Sequence, residues 1–156
     1  MDATKKGLLG MVGKWKFQEK KFSCEKVITF KQTNVMGNTY FSNYVEWQGE
    51  AREKLLLCHP AAGEFMKQNP HIFLITHSLG HRFITNTYFG DRLRIDITSK
   101  NIMDYSLMMV FRYRRVPSEQ LIGEGWQKVC FWDRQLNRPC KTPQFFLDLA
   151  EPLREN

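Results

Sequence analysis

Long apolar runs are missing from this sequence of 156 residues. No stretch approaches the roughly 20 consecutive apolar residues that a membrane-spanning helix needs. The segment GLLGMVG at residues 7–13 is too short, and too interrupted by glycine, to be the core of a signal peptide. The sequence therefore predicts a soluble, cytoplasmic protein.

Cysteine is scarce, and its four copies form neither a C-x-x-C pair nor a zinc-type cluster. Four cysteines in a chain of this length are not typical of a disulfide scaffold, so we expect reduced thiols. His77 and His81 are four residues apart, but they fall in a segment patterned as a strand, with no acidic or cysteine partner nearby. We therefore expect no metal and no other cofactor.

Internal repeats, low-complexity tracts and Gly/Ser linkers are also absent, and the length is that of one ordinary domain. With 42% hydrophobic and 25% charged residues, the chain has enough apolar mass to form a core. Residues 1–22 are basic and weakly patterned, which predicts a loose lead-in segment. The remaining residues, 23–156, are predicted to form a single domain.

The net charge is +7, from 23 Lys and Arg against 16 Asp and Glu, so the surface should attract an anionic partner. The basic residues are scattered, and the chain carries no nucleic-acid-binding motif that we recognise. We therefore expect no nucleic-acid partner. An acidic carrier protein or a phosphate-bearing cofactor fits the same charge.

Hydrophobic periodicity predicts one early strand, one long helix and then five strands. Residues 23–31 alternate as a strand does, whereas apolar side chains recur at steps of three and four over residues 40–57. Asn38 is the predicted N-cap of that helix, and Pro60 lies just past its end. The later strands are predicted at residues 71–79, 81–88, 92–99, 107–115 and 120–132.

Turn residues separate these strands at hairpin spacing, which predicts that they are consecutive and mostly antiparallel. A short helix is predicted within residues 143–153. The sequence therefore predicts an α+β domain, in which a curved, mainly antiparallel sheet wraps around a long central helix.

The most informative segment is TNVMGNTYFSNYVEWQGEARE at residues 33–53. A strand is expected to end at Asn34, followed by a turn through Gly37 and a helix near Asn38, whose free backbone N–H groups could meet a carbonyl or negatively charged oxygen. Arg52 follows eighteen positions after Asn34, which is too far for contact within one chain. If the two act together, a second subunit must supply one of them.

The same segment resembles the hot-dog-fold thioesterases of the 4-hydroxybenzoyl-CoA thioesterase type, and the resemblance extends over about residues 24–132. The pattern T-N-x-x-G-N-x-Y-F-x-N-Y, followed by W-Q-G-x-x-R-E, is similar to the branch that serves enediyne polyketide synthases. The matching positions are Thr33, Asn34, Gly37, Asn38, Tyr40, Phe41, Asn43, Tyr44, Trp47, Gln48, Gly49, Arg52 and Glu53. The resemblance implies a hot-dog fold and hydrolysis of a polyene β-ketoacyl thioester from an acyl carrier protein. It also implies a homodimer that pairs into a homotetramer.

The resemblance further implies roles for single residues. Asn34 and Arg52 would be catalytic, and the substrate-binding residues would be Gly37, Asn38, Tyr44 and Thr76. The commoner acyl-CoA hydrolases of this fold carry an aspartate where Asn34 stands and a glutamate where Gly49 stands. An amide accepts no proton near neutral pH, so Asn34 can only orient water or the thioester.

Structural interpretations of these residues remain open from the sequence. Asn34 and Asn38 also suit a turn and a cap, Arg52 suits a solvated helix face, and Tyr44 suits a core. Two other functions also remain open, namely an acyl-CoA thioesterase of general metabolism and a non-catalytic acyl-binding protein.

Overall fold

A computed structural model describes residues 20–156. The long helix is α1 (Ser42–Cys58), and two short helices follow, α2 (Ala62–Gln68) and α3 (Gln144–Ala150). The strands are β1 (Phe22–Val27), β2 (Ile72–Phe83), β3 (Arg92–Met103), β4 (Ser106–Arg115), β5 (Gln120–Asp133) and β6 (Arg138–Cys140). No helix in this part of the chain is long and apolar enough to span a membrane.

The strands form one antiparallel sheet in the order β1-β3-β4-β5-β2, and β6 also pairs with β5. The sheet curls around α1, which confirms the predicted α+β class and central helix. The core lies between the sheet and the helix stripe that includes Trp47 and Leu55, neither of which is exposed to solvent. Full burial of such side chains contributes about 1.5–3 kcal/mol each.

The prediction of separate strands at residues 71–79 and 81–88 is wrong, because Gly80 lies inside the single strand β2. A Cβ at Gly80 would lie 2.7 Å from the indole Nε1 of Trp126 on β5, so the glycine makes room for a ring. The irregularity in this strand is a register shift between Thr76 and Ser78. The predicted consecutive strand order is also wrong at β2, which lies beside β5.

The entry to α1 differs from the prediction too. The first strand ends at Val27, and a short 3-10 turn at Phe30–Gln32 replaces its predicted second half. Asn38 is not the N-cap, because the helix begins four residues later, at Ser42. Helix α2, which is only seven residues long, was not predicted from the sequence. Of the predicted lead-in, residues 1–19 lie outside the described residues.

Candidate active site

The turn at residues 33–39 leads into α1 and carries three of the predicted site residues. Asn34 Oδ1 accepts a hydrogen bond from the Met36 amide at 2.8 Å, and the Asn34 carbonyl accepts one from the Gly37 amide at 2.9 Å. Gly37 has a φ of +83°, a conformation that glycine adopts without steric cost. Asn34 is therefore fixed in a tight turn, and its Nδ2 group has no hydrogen-bond partner among the described residues.

Asn38 fastens this turn to a neighbouring loop. Its Nδ2 group donates to Asn86 Oδ1 at 3.2 Å, and its backbone forms an isolated bridge with Tyr88. Its own Oδ1 is buried and accepts no hydrogen bond within the described chain. Asn38 therefore presents a hydrogen-bond acceptor beside the turn, although it does not cap the helix.

The expected free N–H groups lie later in the chain than Asn38. The amides of Asn43 and Tyr44 donate to the carbonyls of Tyr40 and Phe41, just before the helix, at 3.1 and 3.2 Å. The amides of Phe41 and Ser42 have no backbone acceptor in residues 20–156. These two amides are therefore the N–H groups at the start of α1 that can meet a substrate oxygen.

Tyr44 lies inside the core. Its hydroxyl lies 2.6 Å from Thr87 Oγ1, which in turn donates to Thr39 Oγ1 at 2.8 Å. Burial raises the pKa of Tyr44 despite the opposing hydrogen bonds from Thr87 and Thr39, so the hydroxyl stays neutral near pH 7. In this structure the hydroxyl joins α1 to the site turn and the loop beside it.

Arg52 is held by two uncharged side chains on neighbouring strands. Its Nη1 donates to Thr76 Oγ1 on β2 and to Gln127 Oε1 on β5, each at 2.8 Å. No carboxylate lies within salt-bridge distance of Arg52 in the described part of the chain. Burial lowers the pKa of Arg52, and the charge of Glu53 partly offsets that effect. Because an arginine starts from so high a pKa, the group remains a cation.

Arg52 ends a row of polar side chains on the face of α1 that packs against the sheet. Tyr44, Gln48 and Arg52 follow one another at steps of four, which places them on one face of the helix. Gln48 is fully buried, and its Nε2 donates to the Gly80 carbonyl at 3.2 Å. A Cβ at Gly125 would lie 2.1 Å from that same Nε2 atom, so this glycine allows the close approach of Gln48 to β5.

Gln48 and Gln127 were not predicted as site residues from the sequence. The step of four from Tyr44 to Gln48 and Arg52 was a visible signal for the first. Gln127 lies on the same face of its strand as the buried residues Val129 and Phe131, so the strand period indicates that this polar side chain is buried. His81 entered only as a metal candidate, yet it lies inside the site.

His81 packs among aromatic rings, with Tyr44, Phe83 and Tyr113 at ring-centroid distances of 4.9, 4.5 and 5.1 Å. Both of its ring nitrogens are buried and make no hydrogen bond within residues 20–156. Burial lowers the pKa of His81 to about 4, so the ring is neutral at pH 7. Among the described residues, no group of three or more His, Cys, Asp or Glu side chains is arranged to hold a metal ion.

The structure brings Arg52 and Thr76 together, and it places Asn34, Gly37 and Asn38 in one turn. It shows no contact between Asn34 and Arg52 within the chain. Of the acidic residues of α1, Glu50 pairs with Lys26 at 2.6 Å. Arg52 is thus a partly buried cation that is hydrogen-bonded to neutral groups, an arrangement that can bind and polarise an oxygen atom.

A family model described as the thioesterase-like superfamily matches residues 28–149. A comparison with curated proteins finds no matching sequence.

Several solved structures share the fold. A dynemicin thioesterase, described with induced-fit and allosteric effects upon polyene binding, is 24% identical, with a TM-score of 0.79 over 87% of this chain and 99% of that one. A 1,4-dihydroxy-2-naphthoyl-CoA thioesterase from Synechocystis is 18% identical, with a TM-score of 0.73 over 83% and 94% of the two chains. A mutant 4-hydroxybenzoyl-CoA thioesterase in complex with 4-hydroxybenzoyl-CoA is 18% identical, with a TM-score of 0.71 over 84% and 99%.

Proposed function

Because the chain belongs to the thioesterase-like superfamily, with its hot-dog fold and thioester-hydrolase activity, we propose that its substrate is a β-ketoacyl polyene thioester. The thioester is carried on the acyl carrier protein of an enediyne-type iterative polyketide synthase. Water adds to the thioester carbonyl, the C–S bond breaks, and a β-keto acid and the carrier thiol are released.

The observation that carries this proposal is the partly buried Arg52 cation, whose hydrogen-bond partners are uncharged and include no carboxylate. A site of this kind polarises a carbonyl well but supplies no strong base to activate water. A β-keto thioester suits it because the second carbonyl makes the reacting carbon more electrophilic. Asn34, the amide at the position of the commoner aspartate, then orients the water or the thioester.

The other predicted residues complete the proposed site. Gly37 and Asn38 shape the turn that holds the reacting group, and Thr76 fixes the side of the guanidinium that faces β2. Tyr44 supports the turn through Thr87, and we propose that its hydroxyl also contributes to substrate binding.

A homodimer is part of the proposal because Asn34 and Arg52 make no contact within one chain, so a second copy would supply one of the two to a shared site. Strand β2 forms one edge of the sheet over twelve residues, and a long exposed edge invites pairing with a second strand. Pairing of two copies at this edge would bring the turn of one chain towards Arg52 of the other. Two such dimers would then form the homotetramer.

The net charge of +7 supports an acidic carrier protein as the partner. Association with such a synthase would place the protein in the cytoplasm. The alternative is an acyl-CoA thioesterase of general metabolism, which the two CoA thioesterases of the same fold favour. The missing carboxylates at Asn34 and Gly49 argue against it.

The test compares three thioesters of matched chain length: 3-oxooctanoyl carrier protein, octanoyl carrier protein and octanoyl-CoA. We expect the highest kcat/KM on the β-keto substrate and at least a tenfold loss in Arg52→Ala. A preference for octanoyl-CoA would favour the alternative. Binding without turnover of any of the three would indicate a non-catalytic acyl-binding protein.

A further inference from the structure

Only one nitrogen of the Arg52 guanidinium, Nη1, forms hydrogen bonds with the described residues. Nη1 gives its two N–H groups to Thr76 and Gln127, each at 2.8 Å. Nε is buried without a hydrogen-bond partner, and Nη2 has none among residues 20–156. The edge of the guanidinium that carries Nε and Nη2 is therefore uncommitted.

That edge matches a particular ligand chemistry. Parallel N–H groups on one side of a guanidinium bind two oxygen atoms of a carboxylate as a bidentate pair. Such a pair is strongest where the cation is shielded from water and is not already neutralised. Arg52 meets both conditions, because it is partly buried and lies beside neutral acceptors.

We infer that the Nε–Nη2 edge of Arg52 is a receptor for the carboxylate of the released acid, and that Gln127 is the positioning residue that keeps this edge turned towards it. The inference deepens the proposed function, on which it rests. A carboxylate also shares a negatively charged oxygen with the tetrahedral intermediate formed when water adds to the thioester carbonyl.

Gln127 suits this role because it is buried beside Arg52 and carries no charge. Its side chain is 3% exposed and projects from β5 beneath α1, so its amide is fixed by packing. A carboxylate at this position would satisfy Nη1 equally well but would neutralise the cation that the ligand needs. The uncharged amide orients the guanidinium and leaves its charge available.

The binding test uses octanoate and its neutral isostere octanamide, with affinities measured by calorimetry on the full chain. We expect the wild type to bind octanoate at least tenfold more tightly than octanamide. Gln127→Glu should remove that preference, because its carboxylate pairs with Arg52. Gln135→Glu adds the same charge in an exposed turn and should leave the preference unchanged.

A second variant covers the case in which Gln127→Glu fails to fold. Gln127→Met has a similar volume but accepts no such hydrogen bond, so we expect a fall of at least fivefold in kcat with KM changed less than twofold. It should also lower the octanoate affinity severalfold. Equal wild-type affinities for octanoate and octanamide, or wild-type octanoate binding in either folded Gln127 variant, would overturn the inference.

This outcome is separable from that of the proposed function. If the protein prefers octanoate but hydrolyses no β-keto thioester, the carboxylate receptor is supported and the proposed substrate is wrong. If it hydrolyses the β-keto thioester without any preference for octanoate, the proposed substrate is supported and the carboxylate receptor is wrong.

Discussion

At the scale of single residues, Asn34 combines a structural and a chemical role. Its Oδ1 closes the turn through the Met36 amide, so part of any mutational effect is loss of that turn. A single hydrogen bond of this kind contributes about 0.5–1.5 kcal/mol to stability. Aspartate can accept the same bond and alanine cannot, which allows the two roles to be separated.

We predict that Asn34→Ala loses at least tenfold in kcat on 3-oxooctanoyl carrier protein, because the water or carbonyl is no longer oriented. Asn34→Asp should keep the turn and KM, and should raise the rate on octanoyl carrier protein, since it introduces a base. Steady-state kinetics on both substrates measure this. Wild-type kcat in Asn34→Ala would contradict the role of Asn34 in the reaction.

His81 provides a second residue-scale prediction, which concerns stability. Burial holds its folded-state pKa at about 4, below the ordinary value of 6.5, so the unfolded chain binds more protons between these values. The contribution of the neutral ring is therefore full above about pH 6.5 and is lost as the pH falls towards 4.

Chemical denaturation at successive pH values should show the free energy of unfolding falling over this window. His81→Phe should make the curve flatter, because the introduced ring does not titrate. His77→Phe, at an exposed position of the same strand, should leave the slope unchanged. A slope that persists in His81→Phe would assign the pH dependence to other groups.

At the scale of elements, the spacing between α1 and β5 depends on glycine. Gly125 has no side chain to hold Gln48 away from the strand, and a Cβ there would lie 2.8 Å from Gln48 Cδ and 3.1 Å from His81 Nδ1. Gly49 on α1 is different, because a Cβ there would meet nothing within 4 Å. The two glycines should therefore respond in opposite directions to alanine.

We predict that Gly125→Ala lowers the free energy of unfolding by about 1–3 kcal/mol, since the added methyl group forces Gln48 and the helix to move. Gly49→Ala should raise it by about 0.5–1 kcal/mol, because alanine is the better residue in a helix interior. Denaturant titration measures both. A Gly125→Ala protein as stable as the wild type would show that α1 is not tightly seated on β5.

Most elements could be predicted from the sequence because their hydrophobic periods are long and regular, as in α1 and the three strands β3–β5. The continuity of β2 could not, because Gly80 has the sequence signature of a turn and instead makes room for the ring of Trp126. The family resemblance predicted Arg52 and Thr76 as site residues, and the structure places these two side chains in contact. The strand period places Gln127 on the buried face of β5, but its contact with Arg52 joins residues 75 positions apart and could not be predicted from spacing.

At the scale of the whole molecule, the exposed edge at β2 decides what the functional unit is. Four large apolar side chains of this strand are exposed: Phe73, Ile75, Leu79 and Phe83. A long edge strand with exposed apolar side chains tends to associate with other chains unless another strand already pairs with it. The proposed dimer covers it and completes the site.

Light scattering at micromolar concentration should therefore give at least twice the chain mass of 18.5 kDa. Ile75→Asp should shift the protein towards monomer and reduce activity with it, because a charge on the edge opposes pairing. Met66→Asp, at an exposed apolar position on α2, is the matched control and should stay associated. A sharp monomer mass for the wild type would contradict the dimer.

The central claim is that a cation and oriented amides hydrolyse the thioester without a general-base carboxylate. The most direct test is the pH dependence of kcat/KM on 3-oxooctanoyl carrier protein. Because Asn34 and Gln127 do not titrate, we predict a rate with no acid limb from about pH 5 to pH 8, the range in which a carboxylate base in a desolvated site would ionise. An acid limb in that window, persisting in Asn34→Ala and disappearing when Glu50 or Glu53 is replaced by glutamine, would contradict the account.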